Sequence, residues 1–419
     1  MSRMRVVITG VGCISPLGND VPTSWQAAVA GISGVAPIQA FDASQHATRF
    51  AAEVKGFDGE ALLGRRQARR MDRYTQFAVA ATQQALSRAG LTIDERNRDR
   101  IGAVVGTGIG GIGTLLSEIQ RTQDLGIQRV SPFLIPMMIP DTGGSQIAIV
   151  FGVRGPNIAV ATACATGANA IGEAAEIIRR GDADGMIAGG AEAAIVPLTL
   201  AAFNVMDALS RRNDDPQAAS RPFERDRDGF VMAEGAGVLI LESLDHARRR
   251  RAPILAELSG YASTNDAFHL SAPAENGAGA ASCMRLALDN AGLQPQDIGY
   301  INAHGTSTRL NDASETTAIK AVLGDHAYRV PISSTKSTTG HLFGAAGALE
   351  AIFCVQALRD GILPPTINYQ SPDPACDLDY IPNTARRATV RHILSNSFGF
   401  GGHNACLVIS QPPEDGQVA

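Results

Sequence analysis

The chain has 419 residues, 45% hydrophobic and 18% charged, with a formal net charge of −5. That length suits two ordinary domains or one large duplicated one, with apolar surface for a large core. The negative balance argues against a nucleic-acid partner, and no run of about 18 apolar residues is available to span a membrane.

In chain order, short runs rich in Val and Ile recur, each ending in Gly or Ser. They lie at Val6–Thr9, Ile101–Gly106, Ile158–Ala163, Gly185–Gly189, Val238–Glu242 and Ile298–Ala303 and read as buried strands. Between them come amphipathic helical patterns at Tyr74–Gly90, Ala168–Arg180 and Ala278–Ala291, with Gly90 placed to cap the first. The alternation predicts an α/β protein with helices covering central sheets. A shift near Arg251–Pro253 divides the chain into residues 1–252 and 253–412, the second half opening on the strand-like Ile254–Leu258. Self-similarity between the halves is too weak to establish a repeat. The run Arg248–Arg251 reads as a solvated helix end, and the polar tail 413–419 as frayed. The N-terminal apolar run is too short, and too soon broken by glycine, for a signal peptide.

Six cysteines occur, none in a CxxC pair, which argues against a zinc site or a disulfide framework and fits a reducing cytosol. Cys13, Cys283, Cys354 and Cys406 read as buried structural thiols and Cys376 as a loop residue. Cys164 differs. It ends a buried strand and precedes an amphipathic helix, and Ala163, Ala165 and Gly167 permit a sharp turn between them. A thiol at a helix N-terminus gains from peptide dipoles and free N–H groups, so thiolate is expected there. This is the logic of the nucleophile elbow with sulfur in place of oxygen.

Two further turns carry reactive groups. His304 follows a strand in Ile298–Thr308, and Ile332–Gly344 holds Lys336, one of only three lysines, together with His341. Either histidine alone could be a satisfied structural residue. His46, His246, His326 and His392 lie in polar stretches and are expected on the surface. Near the C-terminus, Ile393–Asn404 alternates Phe398 and Phe400 with glycines. It reads either as a turn between strands or as a mobile loop whose N–H groups serve as oxyanion donors. It lacks the context of a phosphate-binding loop.

Taken together, Cys164, His304, Lys336, His341 and Phe398–Gly402 resemble the β-ketoacyl-acyl-carrier-protein synthases, in particular the type II elongating enzymes of bacterial fatty acid synthesis. Arg154-Gly-Pro, Gly189-Gly-Ala-Glu, Asn213–Pro222, Arg227-Asp-Gly-Phe and Pro364-Pro-Thr-Ile-Asn extend the match over nearly the whole chain. The resemblance implies a thiolase fold, five layers α-β-α-β-α from two similar halves, in a cytoplasmic homodimer. It implies ping-pong chemistry. Cys164 takes an acyl chain from an acyl carrier protein, and malonyl-carrier then loses CO2 to give the carbanion that attacks the thioester. By the same resemblance the backbone N–H groups of Cys164 and Phe400 hold the oxyanion. His304 and His341 act as neutral donors during decarboxylation, and Lys336 supports them electrostatically through Glu315.

The resemblance further places Thr306 and Thr308 on the phosphopantetheine arm and Ile109 and Phe203 along the acyl pocket. Phe400, with Phe398, gates the pocket, and Asp266 latches a neighbouring loop. Arg69, Arg70 and Arg129 would face the acidic carrier, although a solvated helix face is an equal reading. Catalysis is expected to need no cofactor, and Asn396 with Glu350 to hold a structural monovalent cation, K+ or Na+. Departures from the family pattern fall at Asp207, where some relatives have a carrier-facing arginine, at His403 and at Asp141-Thr142. Asp141-Thr142 would alter the pocket floor or the dimer contact. A polyketide ketosynthase remains an alternative. A thiolase would need a second cysteine where this chain shows Gly399-Phe-Gly-Gly-His-Asn, an inactive chain-length factor would lack Cys164, and a Cys-His-Asn synthase would lack one histidine.

Overall fold

Ten strands, the six apolar runs among them, pair into one hydrogen-bonded sheet in a computed structural model that describes residues 4–413. The expected tail lies outside the described residues from 414 onward. The strands are β1 (Val6–Ile14), β2 (Ile101–Gly106), β3 (Asn157–Ile158), β4 (Gly185–Glu192), β5 (Gly235–Ser243), β6 (Ala256–Asn265), β7 (Tyr300–Asn302), β8 (Ile332–Ser333), β9 (His392–Gly399) and β10 (His403–Ser410). Their order is β8-β7-β9-β10-β6-β1-β5-β4-β2-β3.

This order divides at β1–β6, which are joined only through Val7↔Glu257 and Ile8↔Ala256. On one side the sequence of neighbours is β1-β5-β4-β2-β3, and on the other β6-β10-β9-β7-β8. In each half the first strand meets the last antiparallel, the last meets the fourth antiparallel, and the remaining two pairings are parallel. The two halves therefore share one topology, the repeat that side-chain identity had hidden.

Helices complete the layers. The long ones used below are α1 (Arg73–Ala89), α2 (Ile112–Leu125), α3 (Thr142–Phe151), α4 (Thr166–Arg179), α5 (Ala278–Ala291), α6 (Arg309–Leu323) and α7 (Ala346–Asp360). α1 and α3 cover the first half-sheet and α5 and α6 the second, while α4 and α7 are shared between them. The largest hydrophobic cluster lies around α4 and α7, and the next two in size lie beneath the outer helices. Helices outside each half-sheet and the α4–α7 layer between them give the α-β-α-β-α order that the resemblance implies. α7 is buried on almost every side from Ala346 to Leu358, as a helix sandwiched between two sheets must be.

Local signals set several boundaries. Asp72 caps α1 by accepting from the Tyr74 N–H, and Gly90 ends it in the left-handed conformation, φ 57°. Other expectations shift. The apolar run 158–163 forms only the two-residue strand β3, because β3 is the sheet edge and finds no neighbour on its outer side. Cys376 sits in irregular backbone but is fully buried. The four histidines expected on the surface are half-buried, and His246 and His326 make defined hydrogen bonds.

The Arg248–Arg251 run has a role beyond solvation. Arg250 donates to Glu242 on β5, with Nε 2.7 Å from the carboxylate, and His246 and Thr9 reach the same group. Burial pushes the Glu242 carboxyl up, but the hydrogen bonds from Arg250, His246 and Thr9 outweigh it and hold it at about 2, below its ordinary 4.5. A depressed carboxyl stabilises the fold above about pH 4.5, and that contribution disappears as pH falls through about 2. The shift corresponds to about 3 kcal/mol. Glu242→Gln is expected to lower the urea midpoint at pH 7, with the gap to wild type narrowing once pH drops below 4.5. A gap that does not vary with pH would show that the carboxylate charge is not its source.

Candidate active site

The nucleophile turn is built by constraint rather than propensity. Ala163 holds φ 49°, a conformation rarely adopted by a residue with a Cβ, and this swings Cys164 into a single 3-10 turn that opens α4. The thiol is 7% exposed. The backbone N–H groups of Phe400 and of Cys164 itself face the sulfur. Gly399 allows that approach, since a Cβ there would stand 2.9 Å from the Thr162 carbonyl oxygen and 3.0 Å from the Cys164 nitrogen.

The second half supplies the other groups. β7 and β8 are neighbouring parallel strands, so their C-terminal ends set His304 and Lys336 side by side. His341 lies in the turn leading to α7, which is the place in the second half that corresponds to Cys164 in the first. Its Nε2 is 3.0 Å from Cys164 Sγ. The Phe343 N–H donates to His341 Nδ1 at 3.3 Å, so the ring proton belongs on Nε2. Lys336 Nζ lies 3.3 Å from His304 Nδ1, and the ammonium can only donate. His304 therefore also carries its proton on Nε2. The two rings meet edge-on with centroids 5.5 Å apart. Burial, and the Lys336 charge beside them, hold both histidines well below 6.5, so both are neutral.

The thiol departs from expectation. Burial pushes Cys164 up to about 12, against the pull of Lys336 and the two N–H groups. The resting nucleophile is a thiol and not the expected thiolate, because an anion in this dry site would lose more hydration than the donors return.

Lys336 also pairs differently. It was expected to reach Glu315. Instead its ammonium is bonded to the Glu350 carboxylate and to the His304 carbonyl oxygen, 2.7 Å away, with the side chain 1% exposed. Glu315 accepts from the N–H groups of His304 and Gly305, at 2.9 and 2.8 Å, and from Asn396 Nδ2. It shapes the His304 turn, and Lys336 takes its acid from the helix that faces it. Glu350 is thereby a partner of the lysine.

Cys164, His304 and His341 open into one cavity of about 600 Å³, and Thr306, Thr308, Asp266, Phe398 and Phe400 line it. The hydroxyls of Thr306 and Thr308 are 3.0 Å apart. Asp266 joins two loops, accepting from Asn404 Nδ2 and the Ala274 N–H and donating its own N–H to the Gly402 carbonyl. Phe398 packs against the His304 ring. Ile109 and Phe203 are not among the lining residues. Ile109 is drawn by its N–H toward Glu192, and Phe203 stacks behind Phe343, centroids 5.3 Å apart. The aromatic wall that does face the cavity is Phe230 and Phe343. Phe343 lies two residues after His341 and Phe230 ends the Arg227-Asp-Gly-Phe stretch, so both sit in segments the sequence had marked for other reasons.

Three further expectations sit away from the cavity. Arg69 is paired with Glu60 at 3.4 Å, Arg70 lies over the Phe133 ring at 4.7 Å, and Arg129 is exposed in a 3-10 turn. At the cavity mouth Asp207 is bound to Arg211. The Asn396 side chain is engaged by Glu315 and by the Cys406 thiol. Buried oxygens without hydrogen-bond partners occur instead on Asn302, Glu350 and Ser397, on the adjoining β7, α7 and β9. Such an oxygen set suits a hard monovalent cation. Among the described residues no group of three or more His, Cys, Asp or Glu could hold a metal ion.

Residues 3–247 match the model of the β-ketoacyl synthase N-terminal domain, and 255–370 that of its C-terminal domain. The chain is 52% identical over 411 residues to the 3-oxoacyl-[acyl-carrier-protein] synthase 2 of a Synechocystis species, covering 98% of this chain and 99% of that protein. It is 49% identical over 409 residues to the protein of the same name from Staphylococcus aureus, covering 98% and 99%. Among solved structures, a β-ketoacyl synthase from Burkholderia phymatum superposes with a TM-score of 0.91 at 36% identity, covering 98% of this chain and all of that one. A ketosynthase in complex with a type II polyketide acyl-carrier protein gives 0.90 at 36%, with the same coverage. The chain belongs to the β-ketoacyl synthase family. It is accordingly a condensing acyltransferase with the thiolase fold.

Removing one member of a buried ion pair strands the other, at about 3–5 kcal/mol. Lys336→Met is expected to cost that much stability. Adding Glu350→Gln should recover most of it without restoring activity. Stability losses that simply add in the double variant would refute the pairing.

Proposed function

We propose that the chain lengthens a fatty acyl chain by two carbons, drawing both substrates from acyl carrier protein. The observation that carries this reading is the pair of neutral imidazoles, each with its proton on Nε2, beside a single cysteine in the cavity. An acyl thioester enters and Cys164 sulfur adds to its carbonyl carbon. The oxyanion is held by the N–H groups of Phe400 and Cys164, each worth about 3 kcal/mol of barrier in such holes. The carrier sulfur then leaves with the thiol proton, and the acyl group stays on Cys164. In the second half-reaction the bond from the malonyl α-carbon to its carboxylate breaks, CO2 departs, and the electron pair moves toward the thioester oxygen. His304 and His341 donate to that oxygen as charge grows. Neutral donors suit the step because imidazolium would protonate the carbanion. The carbanion attacks the Cys164 thioester, and the same oxyanion donors act until sulfur leaves.

Cys164 is the only cysteine among the described residues lining the cavity, which speaks against a thiolase. Relatives at 49–52% identity named 3-oxoacyl-[acyl-carrier-protein] synthase 2 favour fatty acyl elongation over the polyketide reading, whose structural match is 36% identical. The carrier is supported by that neighbour's complex and by the Thr306–Thr308 pair at the cavity. Arg69, Arg70 and Arg129 form its docking face in this reading.

Further features belong to the same proposal. Ile119, Leu125, Ile127, Phe133, Ile135, Ile149 and Ile158 are exposed around α2, α3 and the edge strand β3. An apolar patch beside an unpaired strand edge suits a twofold contact with a second copy. Asp141 is exposed at the start of α3, Thr142 is buried beside it with its hydroxyl on the Pro136 carbonyl, and neither lines the cavity. A K+ or Na+ ion held through Glu350, and six free cysteines suited to a reducing cytoplasm, complete the reading. Sedimentation should give twice the chain mass, and replacing K+ and Na+ by choline should lower Tm. A monomer, or an unchanged Tm, would remove the dimer or the ion respectively.

Cys164→Gln separates the half-reactions. With malonyl-carrier it should still release CO2 at a rate flat between pH 6 and 8, because both histidines stay neutral there, while condensation with acyl-carrier is abolished. Loss of decarboxylation, or an acid limb in that range, would contradict the assigned roles.

A further inference from the structure

Glu192 ends β4 with no solvent exposure, and its carboxylate accepts four hydrogen bonds. Oε1 takes the Thr107 hydroxyl at 2.8 Å and the Ile109 N–H at 3.3 Å, and Oε2 takes the N–H groups of Gly108 and Gly344 at 2.8 and 3.0 Å. All four acceptor positions of an ionised carboxylate are thus used. The donors come from two segments distant in sequence. One is the loop after β2 that carries Ile109. The other is the turn between His341 and α7. The two backbones touch at this point: a Cβ on Gly344 would stand 2.4 Å from the Gly108 nitrogen.

The second segment is the sensitive one. Phe343 holds φ 47°, a strained conformation that needs external support. Its N–H donates to His341 Nδ1, fixing the ring that points Nε2 at Cys164. Gly344, bonded to Glu192, is the next residue.

We propose that Glu192 is a positioning residue whose carboxylate clamps the 107–109 loop to the Phe343–Gly344 turn and thereby aims His341 at Cys164. This rests on the condensing role given to Cys164 and His341. The clamp also ties that loop, with Ile109 on it, to the reacting pair, so a shift of either segment is felt by the other. Burial pushes the Glu192 carboxyl up to about 7 against its four hydrogen bonds, so the charge is present above that pH, where Cys164 titrates. Among titratable groups, Cys164 and Tyr74 feel it, which disfavours thiolate, while Lys336 pulls Cys164 the opposite way. His304 and His341 are neutral and add no competing charge. Gln at 192 keeps the size but offers a single acceptor oxygen, and its amide donors would face N–H groups.

The test uses the full-length enzyme. Glu192→Gln is expected to lower kcat for condensation, and the rate of malonyl decarboxylation, at least tenfold with KM for the carrier substrates unchanged, since Glu192 does not line the cavity. In parallel, the pH profile of Cys164 alkylation by iodoacetamide, read on protein whose circular dichroism and urea midpoint match wild type, should move to lower pH. Glu192→Asp, which keeps the charge, should leave that profile near wild type. If Glu192→Gln does not fold, Thr107→Val removes one donor only, and a several-fold fall in decarboxylation is expected from it. Unchanged kcat and an unmoved alkylation profile in folded Glu192→Gln, or full activity in Thr107→Val, would overturn the proposal. Alkylation needs no carrier or acyl substrate. A wild type that alkylates as described but does not condense would count against the proposed function and leave the clamp standing.

Discussion

The site depends on how closely α4 and α7 cross. A Cβ on Gly167 would lie 2.8 Å from the Ala348 nitrogen, and one on Gly347 would lie 2.9 Å from the Ala168 nitrogen. The contact is reciprocal, as two halves of one topology require. It brings the two helix starts together, and with them the strained turns at Ala163 and Phe343. Gly237 admits α7 against the first half-sheet in the same way, where a Cβ would meet the Leu349 nitrogen at 2.6 Å. Neither half contains a complete site. The nucleophile belongs to the first and its imidazoles to the second, so the packing of the shared helical layer sets the catalytic distances.

Electrostatics then follow from burial. The innermost permanent cation is Lys336, and it is tied to Glu350 and the His304 carbonyl. Its charge beside the two rings helps keep both histidines neutral and directs the His304 proton to Nε2, while the Phe343 N–H does the same for His341. The same burial keeps Cys164 protonated at rest. The site is therefore arranged to hold negative charge only when a thioester oxygen presents it. That is the differential stabilisation a condensing enzyme needs.

Much of this was legible in the sequence because the reactive residues sit at strand ends beside Gly and Thr, where local pattern is informative. Cys164, His304, His341 and the Phe398–Gly402 segment stood out that way, the α/β class came from alternating strand and helix, and the five-layer fold and the joining of these residues into one site came from the family resemblance. Partnerships across the fold did not. The acid for Lys336 lies on α7, 14 residues on, and reads as an ordinary buried-helix position. Glu192 closes an apolar strand and carries no local mark of the four donors that converge on it. The duplicated topology was also hidden, because the order of strands can be kept while side chains diverge. The ionisation of Cys164 differs from expectation for a related reason. A helix start is visible in sequence, but the depth at which it is buried is not.

The most direct measurement is the intact mass of the enzyme after incubation with acyl-carrier alone, followed by peptide mapping. One acyl group per chain, as a thioester on the peptide holding Cys164 and discharged by malonyl-carrier into a product two carbons longer, is the expected result. An acyl group on another residue, or product formed with no acyl-enzyme, would contradict the assignment of Cys164 as the condensing nucleophile.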